Sequence, residues 1–291
     1  MTTTAASPDD HFAQTDIYRG FVGSPHRTIK HTSYFEAYER HLSRFRGRPI
    51  TLVEVGVLEG GSLFMWRDYL GPDARIVGVE MNPDAERWRE DGFDVFIGDQ
   101  ADASFWARVF DEIGDIDVLI DDGGHANDHQ IMTVACALPH VRDGGLILVE
   151  DTHASYMPSF GNPGPHSFKN FAYAVCDQID GRSSALNGKD GANSAYARSI
   201  ASVSFHESIV VFEVDRTRAT ASRTIDNGRA SRNVQDMRYA EGAGAAGPGS
   251  TVLGRLPLPD RLRRRLDFRR HYQAERSRSE AAWRYAMSRT D

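Results

Sequence analysis

ITLVEVGVLEGGSLFMWRDYLGP, Ile50 to Pro72, passes from a nearly continuous apolar run through a glycine-rich turn into a helical pattern. A run such as Ile50–Val55 is what a strand buried on both faces requires. Ser62 is placed to N-cap a helix whose apolar residues Leu63, Trp66 and Leu70 fall at helical spacing before Gly71-Pro72 stops it. The same unit recurs outward, with further strands expected at Ile76–Glu80, Phe93–Ile97, Val118–Asp121 and Leu146–Glu150. Repeated βα units feed a parallel sheet. Upstream, Tyr34, Tyr38, Leu42 and Phe45 predict an amphipathic helix. Ile131, Val134, Ala135 and Leu138 form another helical stripe, which Gly144-Gly145 closes. Downstream, Ile200–Phe205 and Ile209–Val214 flank the polar turn His206-Glu207-Ser208 as an antiparallel hairpin. The expected fold is α/β: a doubly wound, Rossmann-like sheet of seven strands, mostly parallel, with the hairpin closing it.

Composition narrows the function classes. Of 291 residues, 40% are hydrophobic and 26% charged, which is enough apolar surface for a core. No apolar stretch reaches the roughly 18 residues needed to span a bilayer. The start, MTTTAASPDD, has neither a basic nor an apolar region of the kind that directs export, so a cytoplasmic protein without membrane partners is expected. The two cysteines, Cys136 and Cys176, lack metal-ligand spacing and read as structural thiols of a reducing compartment, with Cys136 inside a helix. A formal charge of −7 argues against a nucleic-acid-binding body. Carboxylates crowd the first part of the chain, whereas arginines dominate from Arg216 onward. Lys30, Lys169 and Lys189 are the only lysines. The chain divides by pattern into an N-terminal arm (1–30), the α/β domain (31–214), a Gly/Ala/Ser-rich flexible linker (215–250) and an arginine-rich tail (251–291) that reads as helical from Leu262 to Met287. That tail reads as a solvated segment or as a helix serving assembly into a homo-oligomer.

Chemistry concentrates where the strands end. Gly56, Gly60 and Gly61, at the first strand-to-helix turn, lack side chains that would keep a nucleotide-type ligand from the backbone. Glu80 ends the second strand, where an acid accepts hydrogen bonds from ribose hydroxyls. Gly98-Asp99-Gln100 follows the third strand and can reach an adenine edge, although Asp99 also suits a helix cap. IDDGGH, Ile120 to His125, follows strand four, and VEDTH, Val149 to His153, follows strand five. If those strands are neighbours, Asp122, Glu150 and Asp151 converge. Three clustered carboxylates are costly without a cation, and a hard, oxygen-preferring ion such as Mg²⁺ fits them better than zinc does. His125, near a helix N-terminus that disfavours imidazolium, is the candidate general base.

These strings, together with GGSLFMWRDY, GDQ and PHVRDGGLILVEDTHASY, resemble class I S-adenosylmethionine methyltransferases related to the macrolide-sugar O-methyltransferases of mycinamicin biosynthesis. They also resemble proteins described as rhamnosyl O-methyltransferases or cephalosporin hydroxylases. The likeness runs from about residue 31 to 214. It implies Asp122, Glu150 and Asp151 as Mg²⁺ ligands and His125 as base. It further implies a cofactor pocket built from Glu54, Gly56, Ser62, Glu80 and Asp99 or Gln100, with Gly61 and Asp121 in the same set. The Asp-Asp-Gly-Ser-His turn of the macrolide enzymes has Gly124 in place of serine here, which leaves the ligand spacing intact.

The implied reaction is methyl transfer to a hydroxyl of a sugar, glycosylated natural product or polysaccharide. The stretch from Thr152 to Lys169, with its tyrosine, prolines and glycines, reads as a lid over such an acceptor. Phenols or catechols are the alternative acceptors. A nicotinamide oxidoreductase would share the glycine turn and Glu80 but has no need of the carboxylate cluster. A non-catalytic cofactor-binding accessory protein would use the tail for docking.

Overall fold

The computed structural model describes residues 10–160, 164–183, 186, 194–229 and 260–287. The chain forms two compact units, residues 1–224 and 225–291. The first contains helices α1 (Asp16–Gly23), α2 (Thr32–Leu42), α3 (Gly61–Leu70), α4 (Ala103–Ile113), α5 (Asn127–Ala137), α6 (Phe168–Asp180) and α7 (Ala195–Ser199). Its strands are β1 (Thr51–Val55), β2 (Arg75–Glu80), β3 (Asp94–Ile97), β4 (Ile116–Asp121), β5 (Val141–Val149), β6 (Ile200–His206) and β7 (Ile209–Val214). They make one sheet in the order β3-β2-β1-β4-β5-β7-β6. The first five strands run parallel, and β7 inserts antiparallel between β5 and β6.

The sheet is covered on both faces, which is why its strands read as unbroken apolar runs. Leu52, Val118, Ile120 and Leu148 face a core made with Ile17, Tyr34, Tyr38 and Trp66, while Val53, Leu119, Ile147 and Val149 face Phe105, Trp106, Val134 and Phe168. Register levels the strand ends: Val55 pairs with Asp121, and Asp121 with Val149. The first residues beyond these ends are therefore Gly56, Asp122 and Glu150, side by side at the switch point between β1 and β4, where open α/β sheets bind ligands.

Several expectations are corrected. Ser62 does not cap α3; Gly60 does, with φ +78°, and Ser62 turns into the interior. Gly144-Gly145 lie inside β5 rather than closing α5, which Pro139 limits by forcing a 3-10 turn, Leu138–His140. The residues read as an arm outside the domain belong to it: α1 packs on α3, and Ile17 is fully buried. The linker expected from residue 215 begins later, because Arg216 donates to the carbonyls of Val141 and Leu138 and pairs with Asp143. Residues 230–250 of that linker lie outside the described residues. In the second unit, α8 (Asp260–Met287) is the helix expected in the tail. No described helix is long and apolar enough to cross a membrane. Cys136 is half-buried on α5, and both cysteines are free thiols.

Two predictions follow from this packing. Ile17→Ala should destabilise the first unit by about 2–4 kcal/mol and lower its melting temperature by roughly 5–12 °C, as a cavity in a core does; a mutationally silent Ile17 would mean that the segment is an appendage. Second, His41 Nε2 lies 2.9 Å from His206 Nε2 across α2 and β6, an arrangement that excludes protonation of both rings. Burial, then His206 and Arg40, depress His41 from 6.5 to about 4. A depressed histidine pKa gives stability that is present above the ordinary value and lost as pH falls. Urea-unfolding stability should therefore drop between pH 6.5 and about 4, and His41→Phe should flatten the drop; an unchanged pH profile in the variant would refute this.

Candidate active site

A cavity of about 710 Å³ opens over the level ends of β1, β4 and β5, within the size range of small-molecule sites. Its walls come from the turn after β1, the end of β2, the two turns after β4 and β5, and the segment 27–32 that precedes α2. Gly56, Ser62, Glu80, Gln100, Asp122, His125, Glu150 and Asp151 line it, as expected from sequence; Glu54, Gly61, Asp99 and Asp121 are not on its wall.

The neutralising cation among the inner carboxylates is Lys30. Its ammonium, 1% exposed, donates to Asp122 Oδ2 at 2.5 Å and to Glu150 Oε2 at 2.9 Å, and stands 4.0 Å from Glu54 Oε1. Burial alone would lower its pKa, but the charges of Asp122, Glu150 and Glu54 outweigh burial and hold it well above the ordinary lysine value. Glu150 is completely buried, and its other oxygen accepts from Tyr38 Oη at 2.5 Å. Burial and the neighbouring Asp122 raise the pKa of Glu150, while Lys30 and Tyr38 oppose the rise. Glu54 accepts from Ser62 Oγ and Trp66 Nε1, and burial pushes it up to about 7. Glu54 and Ser62 thus support the floor of the cluster from behind.

Asp151 and His125 form its outer edge. Both adopt left-handed backbone, φ +50° and +56°, which non-glycine residues seldom do. Such strain persists only where the surroundings impose it. It brings His125 Nε2 to 3.3 Å from Asp151 Oδ2, while Tyr34 Oη donates to Asp151 Oδ1 at 2.5 Å. Burial, then the Asp151 hydrogen bond and charge, push the Tyr34 phenol far up, so it stays a donor. One ligand atom each from Asp122, His125 and Asp151 lie within 4.8 Å of one another. Asp122 and Asp151 turn hard oxygen donors toward the cavity, with the His125 imidazole beside them, and so fit a divalent cation such as Mg²⁺. Glu150, fully engaged by Lys30 and Tyr38, reaches such an ion only by sharing an oxygen with Lys30.

On the other side of the cavity, Glu80 accepts four backbone N–H groups, from Val57, Leu58, Met81 and Asn82, at 2.8–3.0 Å. It clamps the turn after β1 to the end of β2. Gln100 donates to Asp121 and Thr133 and accepts from Gly124, tying the third strand end to the IDDGGH turn. Asp121, its pKa raised by burial, also accepts from the Gly123 N–H, and Asp99 makes a local turn by accepting from Ala101. The three glycines accommodate protein rather than ligand, which corrects the reason given from sequence. A Cβ on Gly56 would strike the Asp122 carbonyl at 2.1 Å, one on Gly60 the Trp88 ring at 2.3 Å, and one on Gly61 the His26 and Arg27 carbonyls at 2.5 Å. Nδ1 of His125 and Nδ1 of His129 are buried and have no partner among the described residues. These two residues border the cavity, as a site built for a polar ligand would require.

Lys30, Tyr34 and Tyr38 were absent from the sequence-derived site. Two phenols four residues apart share one helix face, and Lys30 stands out in a chain whose cations are nearly all arginine. Both signals were present, but the phenols read equally as core.

Comparison with known proteins agrees with this geometry. Residues 53–152 match the family model described as a methyltransferase domain. The chain is 38% identical over 135 residues to the 8-demethyl-8-alpha-L-rhamnosyl tetracenomycin-C 2'-O-methyltransferase of Streptomyces olivaceus, over 44% of this chain and 35% of that one. It is 37% identical over 131 residues to the mycinamicin VI 2''-O-methyltransferase of Micromonospora griseorubida, over 43% of this chain and 32% of that one. The chain thus spans about a third of the length of these curated relatives. Among solved structures, the MycE methyltransferase of the mycinamycin pathway, in complex with Mg, SAH and mycinamycin VI, superposes with a TM-score of 0.62 and 26% identity. That match covers 72% of this chain and 55% of MycE. Residues 53–152 therefore match a methyltransferase domain, and over that stretch the chain is similar to sugar O-methyltransferases of macrolide and tetracenomycin biosynthesis.

Proposed function

We propose that this chain is a magnesium-dependent, S-adenosylmethionine-using O-methyltransferase whose acceptor is a hydroxyl of a sugar, a glycosylated natural product or a polysaccharide. The observation that carries this reading is the convergence of Asp122, His125 and Asp151 on one edge of the cavity that Glu80 borders at the other. Its relatives' printed activities, and the Mg and SAH in the MycE complexes, point the same way. The same relatives support a small-molecule or glycan acceptor over nucleic acid. The free thiols suit a reducing compartment, and we place the enzyme in the cytoplasm. α8 is offered as the element of a homo-oligomer.

A sugar hydroxyl is too weakly acidic to attack a sulfonium methyl readily at neutral pH. Mg²⁺, when bound by Asp122, Asp151 and Glu150, supplies a Lewis acid that lowers the hydroxyl pKa. Within this chain, His125 Nε2 accepts the hydroxyl proton as the oxygen takes the methyl group. Asp151 Oδ2, 3.3 Å from that nitrogen, then accepts the new N–H and stabilises the imidazolium. Glu80 would receive ribose hydroxyls of the methyl donor by sharing oxygens that now accept backbone N–H groups, and Gln100 and Asp121 keep the IDDGGH turn in register. Lys30 holds the inner acids in place, and the segment that carries it walls the cavity against water.

Asp122→Asn should abolish magnesium-dependent methylation of a panel of glycosylated acceptors while leaving S-adenosylmethionine binding intact by calorimetry; full turnover of the unaltered enzyme in EDTA would overturn the reading. His125→Ala should lower kcat by about 10²–10⁴-fold with donor affinity retained. If the variant instead lost donor binding and kept its turnover at saturating donor, His125 would belong to the cofactor pocket. Acceptor panels that respond only to catechols would favour the phenol reading.

A further inference from the structure

Asp151 offers a second face to a cation. Its Oδ2 looks toward His125, but its Oδ1 lies 3.6 Å from His31 Nε2 and 3.8 Å from His153 Nδ1. One ligand atom from each of His31, Asp151 and His153 falls within 4.8 Å of the others. Donors about 2.1 Å from a tetrahedral zinc ion stand about 3.4 Å apart, so the two contacts to Oδ1 are nearly at coordination spacing. Both imidazoles are about half exposed, 55% for the His31 side chain and 41% for His153, and can make up the remainder by rotation.

The groups come from separate elements. His31 caps the start of α2, while Asp151 and His153 follow β5. Tyr34 Oη donates to Asp151 Oδ1, an outer contact of the sort that fixes a metal ligand, while Ser208 Oγ, 2.7 Å from His153 Nδ1, would yield that nitrogen to a cation. The His31 and His153 rings stand edge to face, 5.7 Å between centroids, on the wall of a second pocket of about 470 Å³ that Tyr156 and Lys169 also line. A cation held there would keep an open position toward that pocket.

We propose that His31, Asp151 and His153 form a second divalent-cation site, selective for a transition metal such as Zn²⁺, Co²⁺ or Mn²⁺, with Asp151 bridging it to the oxygen-rich site beside it. Two nitrogen donors and one carboxylate suit borderline ions, whereas Mg²⁺ seeks oxygen, so the two positions discriminate by ligand type. Lys30 already faces Glu54, Asp122 and Glu150 from the inside, whereas Asp151 lies beyond its reach, on the imidazole side. The site does not depend on the methyl-transfer reading.

The test uses the metal-stripped, untagged full chain in excess Mg²⁺, titrated with Co²⁺ and followed by visible ligand-field absorption. One equivalent should bind with a nitrogen-ligated spectrum that Zn²⁺ abolishes and Mg²⁺ does not. His31→Ala and His153→Ala should each weaken Co²⁺ binding roughly tenfold or more, Asp122→Asn should retain the band, and His140→Ala should change nothing. Copper(II) substitution in the unaltered chain reads the nitrogens directly by electron paramagnetic resonance, and so needs no variant to fold. Displacement of Co²⁺ by Mg²⁺, absence of nitrogen coupling, or an unchanged affinity in the doubly substituted His31→Ala/His153→Ala chain would each overturn the site. Loss of magnesium-dependent methylation in Asp122→Asn with the Co²⁺ band intact would separate this site from the proposed reaction.

Discussion

Lys30 carries its ammonium into a space bounded by Glu54, Asp122 and Glu150, and most of what surrounds the cavity depends on that contact. Carboxylates removed from water repel one another and are stable as anions only beside a cation. Because the cation belongs to the chain, the cluster holds its shape before any ion arrives. The same contact fixes the segment 27–32 across the strand tips and makes it a wall of the cavity. Truncating one member of a buried ion cluster leaves the others uncompensated, at a cost of about 3–5 kcal/mol, far more than an exposed pair is worth. Sheet, arm and site are therefore one cooperative structure.

The rest of the site is organised by rigid backbone rather than by long side chains. Register brings β1, β4 and β5 to a common end, and tight turns then separate their functional residues. Gly56 lets the turn after β1 pass against the carbonyl of Asp122, where any Cβ would collide. Left-handed backbone at His125 and Asp151 aims two side chains from different turns at one another. Glu80 binds two neighbouring turns through their backbone N–H groups, and Gln100 ties its own turn to the Gly124 N–H. Side chains placed this way have little freedom left to lose when a ligand binds, which is the structural meaning of preorganisation.

The sheet was legible because burial on both faces leaves a strong mark: β1, β2 and β4 read as apolar runs ending in glycine or acid, and the hairpin of β6 and β7 read from its polar turn. Helix ends were less legible. Ser62 has the chemistry of a cap, yet the demand of buried Glu54 for a donor took it into the interior, and Gly60 took the turn. Gly144-Gly145 resembled a helix stop, but Pro139, five residues earlier, had already limited the helix. That the acids after β4 and β5 and His125 would meet at one cavity was legible because strand ends are predictable places. Lys30, Tyr34 and Tyr38 were not, because their role exists only once Lys30 and α2 fold against strand ends 92 to 120 residues away in sequence. The glycines drew attention to the right turn for an incomplete reason: a missing side chain shows that something approaches, and the tertiary structure decides that it is protein.

The division of charge across the cluster explains why an internal lysine and a bound divalent ion do not exclude one another. A single ammonium among Glu54, Asp122 and Glu150 leaves excess negative charge, and Asp151 adds to it on the open side. Lys30 approaches from the buried side, where water cannot screen the acids and a fixed positive charge is needed to keep the fold. The open side is where hydration already lowers the penalty for anionic oxygen, and where the proposed ion would keep waters of its own. Asp122 borders both regions: its Oδ2 serves Lys30, and the same carboxylate shares with His125 and Asp151 the edge that faces the cavity. The part of the cluster that must persist is therefore held by a residue, and the part that must turn over is left to ligands that can leave.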